Sequence, residues 1–572
     1  MTGHRQSLVV NISLSGPGRD YDQSVEFLGG AFRVVRVGTG GSVKRAIDEL
    51  RKWSGRAAAI GVSGVHDAQV AGTLTGNPGS LREAAAASTG AVVTEGHRLR
   101  NVLQEWTIRH LDGEMPGYFA NARVVVLGGR NHYRSTRVLS ESTQNLHFAD
   151  PTVEYGLADI HSPFAVFERF VSASGWLLQR IPSSMVSAAT APGRKIIESK
   201  VRQALQHCDV VVATFEELAQ FELDDLKGKT LISTSIDEER LNSLRERGID
   251  LILDDVPQPF EGVVVNEATL EALMLVAGQA EESRLTDDDL LDMIQSAELR
   301  PRILYPSGFK RRSRFAFVIH PLSQEYFRNV KPLAAVADMA PGMFMDGVEK
   351  LMAHAPPFVY SHVTGINSPT GAEVEGWLIT VGGTPKELMA HDPEFTYSQL
   401  LAAADMAQKM GAQIMGLGAF TKVVGDAGVT VAKRAPLPIT TGNSYSASGA
   451  LWAAHDAVRR IGIAEVDEKG HMKGKAMVVG ATGAIGSVCA RLLAMAADEL
   501  WLVSIEPAKL LALKADIERE NPRAKIHASA SADEHIADMD VIVTATSGAG
   551  KKVLDIMEVK PGAVITDVAR PL

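Results

Sequence analysis

The feature that most constrains this chain is a set of short aliphatic runs with no polar alternation. They include Arg123-Val124-Val125-Val126-Leu127, Asp209-Val210-Val211-Val212-Ala213, Leu251-Ile252-Leu253, Ala476-Met477-Val478-Val479 and Asp540-Val541-Ile542-Val543. A strand with one wet face alternates apolar and polar residues. A run that is apolar at every position needs cover on both faces, as in a parallel sheet between two helical layers. Segments with helical spacing lie between the runs, for example at 194–207, 266–278 and 505–520. The expected fold is therefore α/β: several domains, each a doubly wound and mostly parallel sheet.

A length of 572 residues suggests three or four domains. Turn-rich or charged breaks at 112–117, 300–314 and 467–470 divide it into α/β domains at 1–115 and 116–299, a basic linker at 300–314, a substrate-domain candidate at 315–470 and a nucleotide domain at 471–572. The linker carries Arg300, Arg302, Lys310, Arg311, Arg312 and Arg314 and no acid, with Tyr305 and Phe309 between them. It reads as a solvated connector; docking of an acidic carrier protein or a pantetheine phosphate is the alternative. Net charge is −10, which disfavours a general attraction to nucleic acid. Two cysteines, Cys208 and Cys489, exclude a disulfide framework and a Cys-rich zinc module. The N-terminus lacks a secretory pattern, and the most apolar window, 487–503, contains Arg491, Asp498 and Glu499. A cytoplasmic protein without an integral membrane segment is expected.

Residues 475–487 carry the strongest motif: a buried strand enters Gly480-x-x-Gly483-x-x-Gly486, which opens a helix. Gly480 is assigned to the tight turn, Gly483 to close approach of a diphosphate, and Gly486 to helix–strand packing. The loop Gly480, Ala481, Thr482, Gly483, Ala484, Ile485 and Gly486 would bind NAD or NADP at the helix N-terminus. Glu506 ends the next strand, where a carboxylate accepts from a ribose diol; Lys509, nearby, could instead neutralise a 2′-phosphate. Thr544, Ala545 and Thr546, at the end of a later strand, would border the same crevice. This is a Rossmann pattern, and it calls for one more helix after 564–567 than the sequence to Leu572 supplies. A second glycine loop, Gly38-Thr39-Gly40-Gly41-Ser42, lacks the Walker ending, and Ser42 reads as a helix N-cap. The sixteen histidines show no metal-ligand spacing, and no Gly-x-Ser-x-Gly elbow occurs.

Residues 315–572 resemble the long-chain fatty acyl-[acyl carrier protein] reductases, aldehyde-forming enzymes of the shikimate-dehydrogenase-like Rossmann superfamily. The resemblance rests on Phe317-Val318-Ile319-His320-Pro321-Leu322-Ser323, Met415-Gly416-Leu417-Gly418-Ala419-Phe420-Thr421, Ile439-Thr440-Thr441-Gly442-Asn443-Ser444 and the glycine loop, in that order. It implies NADPH and an acyl-thioester formed on a cysteine in a Lys-Pro-Gly-Cys turn. Here that turn reads Lys560-Pro561-Gly562-Ala563, so Ala563 stands where the nucleophile is expected. The N-terminal half is similar to a bacterial group labelled quinate 5-dehydrogenase, through Val34-Val35-Arg36-Val37-Gly38-Thr39-Gly40-Gly41, Phe148-Ala149-Asp150 and Leu304-Tyr305-Pro306-Ser307-Gly308.

Candidate catalytic residues are Lys422, after the Gly-Ala-Phe-Thr element, Asn443 at a helix start and Asp567 at a strand end. The expected function is an NAD(P)-dependent oxidoreductase acting on a carbonyl, acyl-thioester or alcohol. A catalytically inactive nucleotide-binding regulatory or scaffold protein is the alternative. Expected partners are a small-molecule or acyl-carrier substrate and a second copy of the chain.

Overall fold

The computed structural model describes residues 6–149, 164–169, 194–221, 223–279, 285–321, 342–418, 428–468, 470–546 and 553–568. The chain is a multidomain α/β protein, and its described strands form four sheets. The first has the order Tyr21–Phe27, Gly30–Gly38, Ser7–Ser13, Ala59–Ser63, Val92–Thr94, parallel except for the first-named edge strand. The second runs Arg302–Leu304, Leu251–Asp254, Thr230–Ser233, Val210–Val212, Val124–Val126, Leu146–Phe148, with only Arg302–Leu304 antiparallel. The third has the order Phe358–Asn367, Ala372–Thr380, Arg311–Ile319, Ile414–Leu417, Ile439–Thr440. The last has Lys525–Ser529, Ala497–Val503, Met472–Val479, Val541–Thr544, Val564–Asp567 in parallel, with Glu465–Val466 paired antiparallel to its central strand.

The packing explains why the apolar runs do not alternate. Val124, Val126, Val210 and Val212 enter one hydrophobic layer, and Val125, Leu127, Val211 and Ala213 enter the layer on the opposite face. In the last sheet Ala476, Val478, Leu500 and Leu502 pack on one side, while Met477, Val479, Trp501 and Val503 pack on the other. Each fully buried aliphatic or aromatic side chain contributes roughly 1.5–3 kcal/mol, so both layers stabilise each sheet.

Contact density divides the chain into two compact units. One is residues 1–315 with 362–377 and 406–413; the other is 316–361, 378–405 and 414–572. Inside the first, the expected break at 112–117 falls at the end of helix His97–Glu114. Leu99, Val102 and Leu103 of that helix pack in the first sheet's layer, and Ile108 and Leu111 in the second sheet's. The chain later returns to the first sheet through helix Glu267–Ala277, whose Leu270 and Leu273 join Val9 and Val34. Residues 1–115 and 116–299 are therefore interleaved, because one continuous helix serves both cores.

The basic run 300–314 is not a solvated linker. Arg302 belongs to a strand and pairs with the fully buried Asp254 at 2.6 Å. Arg312 meets Glu373 at 3.0 Å, and Arg314, itself buried, meets Asp209 at 2.9 Å and Glu375 at 2.7 Å. Acids distant in sequence match these cations in place. The break at 467–470 is a hairpin turn within the last sheet, where the Asp467 amide donates to the His471 carbonyl. Ser42 is the N-cap of helix Val43–Ser54 and accepts from the Arg45 amide. No helix among the described residues is long and apolar enough to cross a membrane.

Candidate functional site

The last sheet has the strand order third, second, first, fourth, fifth, which places a topological switch beside Met472–Val479. Ligands of open α/β sheets bind at the carboxyl ends of the strands at such a point. Gly480 leaves that strand with φ +84°, a left-handed turn in which a side chain is strained. A Cβ there would also lie 2.7 Å from the Thr546 Cβ. The Gly480 and Ala481 amides donate to the Val503 carbonyl, folding the loop back on the neighbouring strand. A Cβ on Gly486 would overlap the Gly480 carbonyl oxygen, so helix Ala484–Ala496 packs tightly on the turn.

Gly483 is the N-cap of that helix, and no side chain caps it. The amides of Ala484, Ile485 and Gly486 are first-turn donors without an intrahelical acceptor. A Cβ on Gly483 would meet the Gly480 oxygen at a tight 3.3 Å and the Ala545 oxygen at 3.7 Å, so it is crowded far less than one on Gly480 or Gly486. Gly480 thus serves the turn, Gly483 the helix start and Gly486 the packing of helix on strand.

The carboxyl end of Ala497–Val503 brings Glu506 to the loop. The Thr482 hydroxyl lies 2.7 Å from Ser504 Oγ and donates to Glu506 Oε2 at 2.9 Å. Lys509 Nζ donates to Glu506 Oε1 at 2.6 Å. The Lys509 contact, then that of Thr482, holds the Glu506 carboxyl below its ordinary range. Glu506 is thus adjacent to the glycine loop, as its position in the motif suggested, but it is already paired with the lysine that opposes its charge.

On the other side of the central strand, Thr544 Oγ1 donates to Asp567 Oδ1 at 2.7 Å across two parallel strands in register. Ala545 donates its amide to Val479, which sets 544–546 against the Gly480 turn. The geometry therefore gathers 480–486, Glu506, 544–546 and Asp567 along one sheet edge. Asn443 starts helix Asn443–Ile461, which packs on helix Ala484–Ala496 and strand Val564–Asp567. Lys422 lies outside the described residues.

Ala563 is at the opposite edge. It precedes strand Val564–Asp567, whose Val564 pairs with Val541 and whose Asp567 pairs with Thr544. A residue at 563 is therefore about 13 Å, four strand residues, from the edge that holds the glycine loop. The two real thiols are unavailable as well: Cys489 and Cys208 are buried, and burial pushes them up to about 11 and about 12. An apolar cavity of about 380 Å³ lined by Met472, Ala496 and Val541 also belongs to the amino edge, away from the loop.

A second, polar cavity of about 650 Å³ lies within the first unit and collects His66, Asp67, Gln104 and His132, none of which any motif marked. The available signal was positional, since His66, His132 and Thr214 each follow a strand of a parallel sheet.

Comparison with known proteins finds two family models on the first unit. Residues 8–94 match a domain of unknown function, DUF8753, and residues 98–306 match another, DUF8754. Aminotransferase PigE of Serratia sp. (strain ATCC 39006) is 26% identical over 258 residues, covering 45% of this chain and 29% of that protein. The chain thus spans less than a third of that curated relative. Among solved structures, quinate dehydrogenase from Corynebacterium glutamicum in complex with NAD is similar at 15% identity, over 45% of this chain and 80% of that one, with a TM-score of 0.26. L-tryptophan dehydrogenase from Nostoc punctiforme is similar at 15% identity, over 45% and 62%, with a TM-score of 0.21.

Proposed function

We propose that the chain is an NAD(P)-dependent oxidoreductase acting on a carbonyl, acyl-thioester or alcohol, with the dinucleotide held by residues 480–486, 506 and 544–546. One observation carries this reading. The positive-φ turn at Gly480, the uncapped helix start at Gly483 and the paired Thr482–Glu506 stand together at the carboxyl edge of a sheet in Rossmann order. A bound nicotinamide dinucleotide would supply the two-electron redox chemistry. The amides of Ala484, Ile485 and Gly486 would bind its diphosphate, Glu506 a ribose hydroxyl, and Lys509 a 2′-phosphate where one is present. Asp567, oriented by the Thr544 hydroxyl, is the acid/base candidate at that edge, with Asn443 and Lys422 as the further candidates from their sequence positions.

The test is calorimetry with NAD and NADP, oxidised and reduced, followed by turnover assays on aldehydes, alcohols and acyl-CoA thioesters. Gly483→Val with unchanged affinity would remove the site assignment. Tight binding with no turnover on the whole panel would favour a regulatory nucleotide-binding protein. The absence of an accessible thiol already lends that second reading support.

A further inference from the structure

The polar cavity of the first unit is independent of the dinucleotide reading. Both parallel sheets of that unit turn strand ends towards it. Ser13 and Ser63 come from the first sheet; Thr214 and Thr234 follow strands of the second. This is where open α/β sheets bind ligands, and about 650 Å³ is the size of a small-molecule site.

Two fully buried side chains on its wall carry polar atoms without a protein partner, although Gln104 Nε2 donates to the Asn131 carbonyl at 2.8 Å. His132 is 1% exposed and neither ring nitrogen has a hydrogen bond; Gln104 is 1% exposed and its Oε1 has none. Buried polar atoms are nearly always paired, so these two are groups waiting for a ligand's polar atoms. Burial lowers His132 to about 4, so its ring is neutral and offers one donor and one acceptor.

The charges on the wall decide what that ligand can be. Arg36 is paired with Asp20, Arg100 with Glu267 and Arg240 with Glu216, and the two other wall arginines each have a carboxylate. Every wall arginine is thus charge-paired, and of their buried N–H groups only that of Arg240 Nε is without a partner. Eight carboxylates face five arginines, and the acids in excess are Asp67, in the wall, and Glu238 and Glu239 at the rim. Next to Asp67, His66 is held by a 2.6 Å hydrogen bond to the buried Glu217. Burial, then the nearby Glu216 charge, raises Asp67 to about 7, against the opposing pull of His66 and Arg240. A cation in the cavity would reverse that shift.

We propose that this cavity binds a small organic cation, a primary ammonium compound, with Asp67 as its counter-ion and with His132 and Gln104 meeting its polar groups. The acid excess and the charge-paired arginines weigh against a carboxylate or phosphate ligand by repulsion. The titratable and charged groups facing Asp67 are Glu216, His66, Arg240 and Glu267. Protonating His66 would oppose a cation in the same sense as protonating Asp67, so a substitution is needed to separate them.

The experiment uses the full chain and calorimetry at pH 8 with putrescine and ethanolamine, against 1,4-butanediol and succinate as neutral and anionic counterparts of putrescine. At least one amine is expected to bind about tenfold or more tighter than either counterpart, the scale of one charge-assisted contact. Asp67→Asn should remove that advantage, with Asp67→Ser as a second variant, and wild-type affinity should fall several-fold from pH 8 to pH 6. Equal binding of succinate or butanediol would overturn the proposal. So would amine affinity unchanged in both Asp67 variants or flat from pH 6 to 8, or no amine binding at millimolar concentration.

Discussion

His66 Nε2 and Glu217 Oε1 lie 2.6 Å apart although 151 residues separate them in sequence. The Glu217 side chain is fully buried, and its second oxygen accepts from the Thr214 amide at 2.8 Å, completing a capping box on helix Phe215–Ala219. Burial is the largest single influence and opposes its ionisation, but the hydrogen bond and charge of His66, with His132 and the Thr214 amide, together outweigh it and lower the carboxyl below its ordinary 4.5. The group is easier to ionise folded than unfolded, so its stabilisation is present above about pH 4.5 and is lost as pH falls further. Glu217→Gln should therefore cost about 1–3 kcal/mol at pH 7. In urea unfolding, the gap between wild type and variant should shrink as pH drops below 4.5; a gap independent of pH would show that the charge is not what matters.

Gly128, at the end of strand Val124–Val126, makes room for the same carboxylate. A Cβ there would overlap Glu217 Oε1, so even alanine must push the glutamate off His66. Gly128→Ala is expected to destabilise the first unit by roughly 1–3 kcal/mol. It should also abolish the pH dependence just described, because both changes act through one carboxylate. Thermal melts of the single and double variants check this: the double variant should lose less than the sum.

How much of this was legible in the sequence follows from the range of the interactions. Val124 and Val125 announced a sheet covered on both faces, because burial on both sides is written into consecutive residues. The loop 480–486 was legible because the turn, the cap and the helix packing are local to seven residues. The domain break at 115 was not, because whether Leu99 and Leu111 of one helix serve different cores depends on partners far along the chain. Nor was the neutralisation of Arg302 and Arg314, whose acids Asp254 and Asp209 lie 48 and more residues away. His66 and Glu217 form a pair only after two sheets have folded, and no spacing rule marks it.

The glycine loop separates folding from binding. Gly486→Ala places a methyl into the Gly480 carbonyl and should lower the melting temperature of the second unit whether or not nucleotide is present. Gly483→Val puts its Cβ 3.3 Å from the Gly480 oxygen and 3.7 Å from the Ala545 oxygen, tight but without the overlap met at Gly486. It should lower the melting temperature less than Gly486→Ala does and abolish dinucleotide binding. If both variants melt alike and bind alike, the glycines do not have these separate roles.

If the proposed dinucleotide site holds, Glu506 should favour NAD and Lys509 should limit that preference. With Lys509 at 2.6 Å, the carboxylate repels a 2′-phosphate less than a free one would. Glu506→Ala would leave Lys509 to face the phosphate alone, so NADP affinity should rise a few-fold while NAD affinity falls slightly through the lost ribose contact. Lys509→Ala should do the reverse and favour NAD. Calorimetric titration of both variants decides this; parallel changes for the two cofactors would place Glu506 outside the ribose site.

The thiols give the last prediction. A cysteine reacts as thiolate, and at pH 7.5 a thiol raised to about 11, as Cys489 is, ionises to only ~0.03%. Cys208 is raised further, to about 12, and its Sγ already donates to the Leu205 carbonyl at 3.1 Å. Iodoacetamide at pH 7.5 should therefore modify neither residue in the native protein and both in urea, and acyl-CoA should leave no adduct detectable by mass spectrometry. Reduction of a thioester, if it occurs, would then proceed without a covalent acyl-enzyme. The sheet edge pairs Thr544 with Asp567, and both cysteines are buried. An acyl adduct on Cys489 in the folded protein would refute this and require the helix Ala484–Ala496 to move away from its strand, since Cys489 packs among Ala476, Val478 and Leu493 in the core.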